Sequence, residues 1–376
     1  MLLFEVTTCL KIKIKTARWV FRFFLIAGLV ILSDATLSSA SISLLDALSG
    51  SWTDLDSFVT LGLCAGVPGS SQMHLCSPAQ IPFIRTGRFE AAGFLSATES
   101  VLTIADTLNN SEINSTAINQ LFSKYNYSEF FVSGGMSYYS QYFSIGMRPV
   151  RMQGRFQLHN PNLPLGSLTY RDDKDLFVGT GVKFPVGPLM FSIGAEGTLV
   201  YRKEVLLEAS LVDFAAKNAN ELLNRQTLTG GFAHIGTHIE LPNVFTFSAL
   251  FSDIGEFWRG NDLSGNYLFI LPDKIPRVTL TGSAIPSLWV GNFQFGAGVI
   301  GFLDRPNSWE SQWFGTASCY LGPMRFLSGF RPGLLRTGLG LRFSSFEVDV
   351  AQEWINNLET GREAQPRFTL QVAAGI

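Results

Sequence analysis

From about residue 83 to the end of this 376-residue chain, stretches in which apolar and polar side chains alternate one by one are separated by turns and loops. Leu189, Phe191, Ile193, Ala195, Leu199 and Tyr201 fall on one parity, and Ser192, Gly194, Glu196, Thr198 and Arg202 on the other. Phe245, Phe247, Ala249 and Phe251 oppose Thr246, Ser248 and Ser252. Phe293, Phe295, Ala297 and Val299 oppose Asn292, Gln294, Gly296 and Gly298. Leu335, Thr337, Leu339, Leu341 and Phe343 oppose Arg336, Gly338, Gly340 and Arg342, and Phe346, Val348 and Val350 oppose Glu347 and Asp349. A period of two belongs to strands, because successive Cβ atoms point to opposite faces of a sheet. Outside the N-terminus no apolar run reaches the length of a membrane-spanning helix. The chain is therefore read as all-β.

Two all-β architectures produce such strands: a soluble sandwich and a transmembrane antiparallel β-barrel. Charged residues make up only 15% of the chain, aromatics reach 13%, and the mean hydropathy is +0.21 despite 36 glycines. The apolar parity is rich in Phe and Leu in nearly every strand, whereas the other parity mixes glycine with arginine and carboxylates. That division fits lipid outside and a polar lumen inside.

The connections decide between the two. Fourteen strands are predicted near 84–97, 129–138, 142–158, 168–184, 188–206, 226–240, 243–252, 267–282, 288–302, 308–320, 323–330, 334–343, 345–354 and 366–376. Short turns at 139–141, 185–187, 241–242, 283–287, 321–322 and 344 alternate with long loops at 98–128, 207–225, 253–266 and 355–365. Outer-membrane barrels combine short periplasmic turns with long external loops, and a sandwich has no reason to do so. The expected fold is a transmembrane antiparallel β-barrel of about 14 strands over 83–376.

The N-terminus reads as an export signal, residues 1–40. Lys11, Lys13, Lys15, Arg18 and Arg22 precede the apolar stretch Phe23–Leu32, and Ser38-Ser39-Ala40 offers a cleavage site. An uncleaved anchor is the alternative. These 40 residues hold five of the 28 basic and two of the 30 acidic side chains, so the remainder carries a net charge of −5 (23 − 28). Nothing points to nucleic acid. Residues 41–82 form a separate N-terminal segment with a short helix expected at Leu44–Leu48. Cys64 and Cys76 lie there, either as a periplasmic disulfide or as two free thiols. Helical spacing also occurs at Ile113–Phe122 and after Ser210, as lids or as surface caps.

Candidate functional side chains sit on the polar parity. Arg148, Arg151 and Arg155 share the third strand, where Pro149 is expected to introduce a bulge. Arg325, Arg331, Arg336 and Arg342 crowd residues 323–343. With Glu196, Arg202, Glu347 and Asp349 they line a lumen, as an internal ion-pair network or as a trap for a carboxylate or phosphate headgroup. Tyr138, Tyr139, Tyr142, Phe143, Trp258, Trp289, Trp309 and Trp354 fall near strand ends, where aromatic girdles are expected. His74, His159, His234 and His238 are the four histidines. No metal-binding spacing, nucleophile elbow or P-loop is present, so neither a cofactor nor an enzyme is expected.

Short elements along residues 76–376 resemble the FadL-like outer-membrane barrels, which include FadL/TodX transporters and PorV and TraF-like proteins. Cys76-Ser77-Pro78-Ala79-Gln80-Ile81-Pro82 resembles the Asn-Pro-Ala-Gly-Leu-like element that closes their N-terminal segment, with Ser77 in place of Asn. Phe247–Gly255, Ile275-Pro276-Arg277 and Gly338-Leu339-Gly340-Leu341 resemble later strand junctions of that group. The resemblance implies a hatch element at Ser77, Pro78, Ala79 and Pro82, within a lumen that passes hydrophobic or amphipathic small molecules. It equally accommodates a closed scaffold subunit with envelope protein partners, whose surface would include Trp258 and Trp354. A barrel lipid hydrolase is a third alternative. In every case outer-membrane lipid is the surrounding partner.

Overall fold

The structure, a computed structural model, describes residues 77–84, 86–101, 127–159, 165–210, 224–262, 265, 267–270, 277–288, 291–300, 313–331, 334–343, 346–355 and 365–375. All belong to the unit Ser41–Ile376. The export signal, the Leu44–Leu48 and Ile113–Phe122 helices, the stretch after Ser210, Cys64, Cys76, Trp289 and Trp309 lie outside the described residues.

A six-residue 3₁₀ segment, Pro78–Phe83, precedes the sheet. The first strands are β1 (Arg88–Thr98), β2 (Tyr127–Tyr139), β3 (Phe143–His159), β4 (Leu165–Val186) and β5 (Leu189–Ser210). Next come β6 (Asn224–Leu241), β7 (Phe245–Asp262), β8 (Tyr267–Ile270), β9 (Arg277–Ala284), β10 (Ser287–Leu288) and β11 (Gly291–Val299). The last are β12 (Trp313–Leu321), β13 (Met324–Arg331), β14 (Leu334–Arg342), β15 (Phe346–Ile355) and β16 (Gln365–Gly375). Each long strand pairs antiparallel with its neighbours, β9 joins β7 to β11, and β16 pairs with β1. The result is a closed ring of fourteen strands, with the short β8 and β10 as side pieces. Closure lets the wall strands pair on both sides and leaves the ring without an edge, which lipid requires of a spanning structure.

Side-chain burial is inverted relative to a soluble protein. Leu176, Val178, Val182, Phe184 and Val186 on β4 are all about half exposed, while Asp173, Asp175 and Phe177 between and beyond them are nearly inaccessible. The same inversion runs through β14, where Leu335, Leu339 and Leu341 are exposed and Arg336 is buried. On β4 the outward apolar run from Leu176 to Val186 is about 33 Å long at a strand's rise. A tilt of about 40° reduces this to a height of about 25 Å, the apolar band of an outer-membrane barrel. Among the described residues no helix is long and apolar enough to cross a membrane.

The turns at one end are tight. Gly187 and Gly322 (both φ 60°) supply the left-handed conformation that two-residue hairpins need. The strand register breaks between Arg148 and Arg151, at Pro149, and on β2 between Gly134 and Met136. Proline has no N–H to donate to the ladder, so the bulge forms there.

Two expectations change. Residues 253–266 are not a long loop: β7 continues to Asp262 and pairs with β8. Asp253 (φ 60°) and Gly255 (φ 64°) absorb extra residues in a double bulge, so the strand survives them. For the same reason the single strand expected at 267–282 is two strands, β8 and β9.

Candidate functional site: a charged lumen and a docked segment

The inward faces are held together by charge. Arg336 donates to Glu353 at 2.8 Å, and Glu353 also lies 3.3 Å from Arg367. Arg367 pairs in turn with Glu129, which receives Gln153 at 2.9 Å and approaches Arg155 at 3.9 Å. This belt crosses β14, β15, β16, β2 and β3, with Thr98 of β1 donating to the Glu129 carbonyl at 3.3 Å. A second group lies nearer the short turns, where Arg325 pairs with Asp349 (2.7 Å) and Glu347, and Arg342 approaches Glu347 at 3.4 Å. Gly340 makes this possible, because a Cβ there would meet Asp349 and stand 2.7 Å from Arg325 Nε. On the other wall Asp175 holds Arg148 at 2.9 Å and Arg151 at 3.1 Å, and Arg202 grips Asp173 through two bonds of 2.8 and 2.9 Å. Charge-assisted pairs with more than one donor fix geometry as well as adding energy.

Arg148, Arg155, Glu196, Arg202, Arg336, Arg342, Glu347 and Asp349 therefore all occupy inward positions, and seven of them join the ion pairs just described. Glu196 is buried on β5 opposite His234 and makes no ion pair among the described residues. Glu129, Asp173, Asp175, Glu353, Arg325 and Arg367 complete the network. Glu353 is 0% and Arg325 1% exposed, so these pairs are shielded from solvent.

The 3₁₀ segment packs against the inner wall formed by β3 to β6. Pro78 and Pro82 pre-set its backbone, and its turn is closed by Gln80 N–H to the Ser77 carbonyl at 3.0 Å. Four inward glycines make room for it. A Cβ at Gly194 would overlap the Pro78 carbonyl, one at Gly236 would overlap Ser77 Oγ, and one at Gly181 would lie 2.8 Å from Pro82 Cδ. At Gly179 it would lie 3.0 Å from Ile81 Cδ1. Ser192 donates to the Ala79 carbonyl at 2.7 Å. His238 Nδ1 lies 2.7 Å from Ser248 Oγ and 3.5 Å from Gln80 Nε2, with the Phe83 ring edge-on to the imidazole at 5.2 Å. Ser77, Ala79 and Ile81 are inaccessible to solvent.

Two aromatic expectations are overturned. Tyr139 is buried and donates to Glu90 at 2.6 Å, because it lies on the inward parity next to outward Tyr138. Trp258 is likewise turned inward by the β7 bulge and packs with Val200, Leu228, Phe232 and Leu268. Arg202 stacks on its indole at 4.1 Å, and its N–H reaches Glu256 at 2.8 Å. Trp354, Trp313, Tyr138, Tyr142 and Phe143 do face outward.

Beside the β3 bulge, a hollow is lined by inward Glu90, Ser133, Arg148 and Phe177 and by outward Met136 and Met147. Residues of both faces meet in it because the bulge breaks the strict alternation of β3 there. Among the described residues no cluster of His, Cys, Asp and Glu has the arrangement of a metal site.

A closed antiparallel ring, apolar outside and ion-paired inside, defines a transmembrane β-barrel of the outer-membrane type. No family model and no curated protein matches the chain. Among solved structures, the Pseudomonas putida toluene transporter TodX aligns with a TM-score of 0.42 at 10% identity, covering 83% of this chain and 94% of that one. The Ralstonia pickettii toluene transporter TbuX aligns at 0.42 and 9%, covering 80% and 91%. CdiB from Acinetobacter baumannii aligns at 0.33 and 11%, covering 78% and 60%.

Proposed function

We propose that the chain is exported, cleaved near Ala40 and inserted in the Gram-negative outer membrane. There it passes hydrophobic or amphipathic small molecules passively, with residues 41–82 as a hatch. The observation that carries this reading is the 3₁₀ segment seated on four inward glycines. A wall that gives up inward side chains on three strands to accommodate a segment from outside the sheet is built around that segment.

The dense ion pairing of the inner wall also favours a second reading, a closed scaffold subunit of an envelope assembly. One comparison separates the two. Wild-type protein and a variant lacking residues 41–82 are reconstituted into planar bilayers and into lipopolysaccharide-containing vesicles. Transport predicts that the deletion raises conductance and that wild type speeds entry of an apolar fluorescent probe. Unchanged conductance would remove the hatch, and unchanged probe entry would remove transport and leave the scaffold.

A further inference from the structure

On β1 to β3, β8, β9 and β11 to β16, the described outward-facing side chains carry no charge. Outside the β7 bulge, the outward charges of the described wall are Asp172 and Lys174 on β4, Lys203 on β5, Arg225 on β6 and Arg259 on β7. Four of the five are basic, they occupy adjacent strands, and all four basic ones are exposed. Register ties them together. Lys174 opposes Tyr201, Tyr201 opposes Thr229, and Thr229 opposes Arg259 in one row. One step further from the membrane centre, Asp172 opposes Lys203 and Lys203 opposes Thr227. Arg225, opposite Val205, is a step beyond that.

The height of the patch narrows its role. Lys174 stands two residues past Leu176, where the outward apolar run of β4 ends. At about 3.3 Å per residue and a tilt near 40°, Lys174 stands about 5 Å above Leu176, in the headgroup layer. Tyr201, Tyr267 and Phe269 are exposed in the same rows and mark the interface. The patch is at the long-loop end, opposite both the tight turns and the paired ends of β1 and β16. Among the described residues Lys174, Lys203 and Arg259 have no carboxylate partner, in contrast to the inward arginines. Three strand spacings separate Lys174 from Arg259, about 14 Å, enough for a headgroup with more than one phosphate.

We propose that this face of β4 to β7 binds the phosphate groups of an anionic glycolipid in the outer leaflet and so fixes an annular lipid beside the barrel. Basic residues at a membrane surface attract anionic lipid, and the attraction weakens with salt. The inference rests on the barrel and its orientation alone, so a failure of the transport reading leaves it untouched.

The test is a lipid titration of the full-length barrel in zwitterionic detergent, followed by native mass spectrometry. The probes are bisphosphorylated lipid A and the same lipid stripped of its phosphates. Wild type is expected to prefer the phosphorylated probe and to lose that preference as salt rises. Each of Lys174→Gln, Lys203→Gln and Arg259→Gln should weaken binding about fivefold, and the triple variant roughly a hundredfold. Asp172→Asn should tighten it up to about fivefold. Heat-modifiable gel mobility shows that each variant is folded, and if the triple variant is not, the salt dependence and Asp172→Asn decide. Equal affinity for the two probes, or wild-type affinity in the folded triple variant, overturns the proposal. So does an acidic protein retained through these residues while lipid binding ignores phosphate.

Discussion

Replacing Gly194 by valine puts a branched side chain where the 3₁₀ segment now lies. Its Cβ would overlap the Pro78 carbonyl and stand 2.7 Å from Ala79 N, and these are backbone atoms of a segment stiffened by Pro78 and Pro82. The segment cannot swing aside as a flexible side chain would. Undocking it exposes Ile81, which is now inaccessible and is worth about 1.5–3 kcal/mol. It also breaks the Ser192 bond to the Ala79 carbonyl, worth about 1 kcal/mol. Together these give about 2.5–4 kcal/mol, or roughly two to three decades in the docked-to-undocked ratio. The assay is maleimide labelling of Ser77→Cys, with Cys64, Cys76 and Cys319 replaced by alanine. Gly194→Val should speed labelling by at least tenfold, and Gly197→Val should not, because a Cβ at Gly197 meets nothing within 4 Å. A folded Gly194→Val barrel that labels at the parental rate would refute the cradle.

Four further outcomes follow from the lumen. Glu353→Gln removes one partner from Arg336 and one from Arg367, and should lower urea-unfolding stability by about 3–5 kcal/mol. Arg342→Gln breaks a pair whose arginine is 32% exposed and should cost about 1 kcal/mol or less, so equal losses in the two variants would contradict the assigned burial. Gly340→Val separates Arg325 from Asp349 and should lower the melting temperature in detergent, whereas an unchanged Tm would deny that the pair spans β14. Trp258→Ala empties the apolar cluster with Val200 and Leu228 and should cost about 3–5 kcal/mol; a loss under 1 kcal/mol would mean the indole is not packed inside.

The wall was readable from the chain because its two sides face different solvents. Leu189 to Tyr201 and Leu335 to Phe343 keep charge off one parity, since a charge facing lipid would be costly. Pro149 announced the bulge at Arg148–Arg151 for an equally local reason. The network's partners were less accessible. Glu129 and Arg367 are 238 residues apart and meet only because β16 closes on β1. No local pattern encodes that register. Glu129, Asp173, Asp175 and Glu353 did carry a signal, a carboxylate on the inward parity. Tyr139 and Trp258 were misplaced by grouping aromatics near strand ends without following parity, which the β7 bulge shifts. Gly179, Gly181, Gly194 and Gly236 resemble any inward glycines, and only the docked segment shows what they make room for.

The central claim is that this wall faces lipid with its apolar parity. Nitroxide labels placed singly at 174–186 of β4 in a lipid bilayer test it through collision rates with oxygen, which concentrates in lipid, and with a polar nickel chelate. Leu176, Val178, Val182 and Phe184 should show high oxygen and low nickel accessibility, and Asp175, Phe177 and Gly179 should show low accessibility to both. A pattern without a two-residue period, or one with Asp175 and Phe177 on the oxygen-rich side, would contradict the barrel described here.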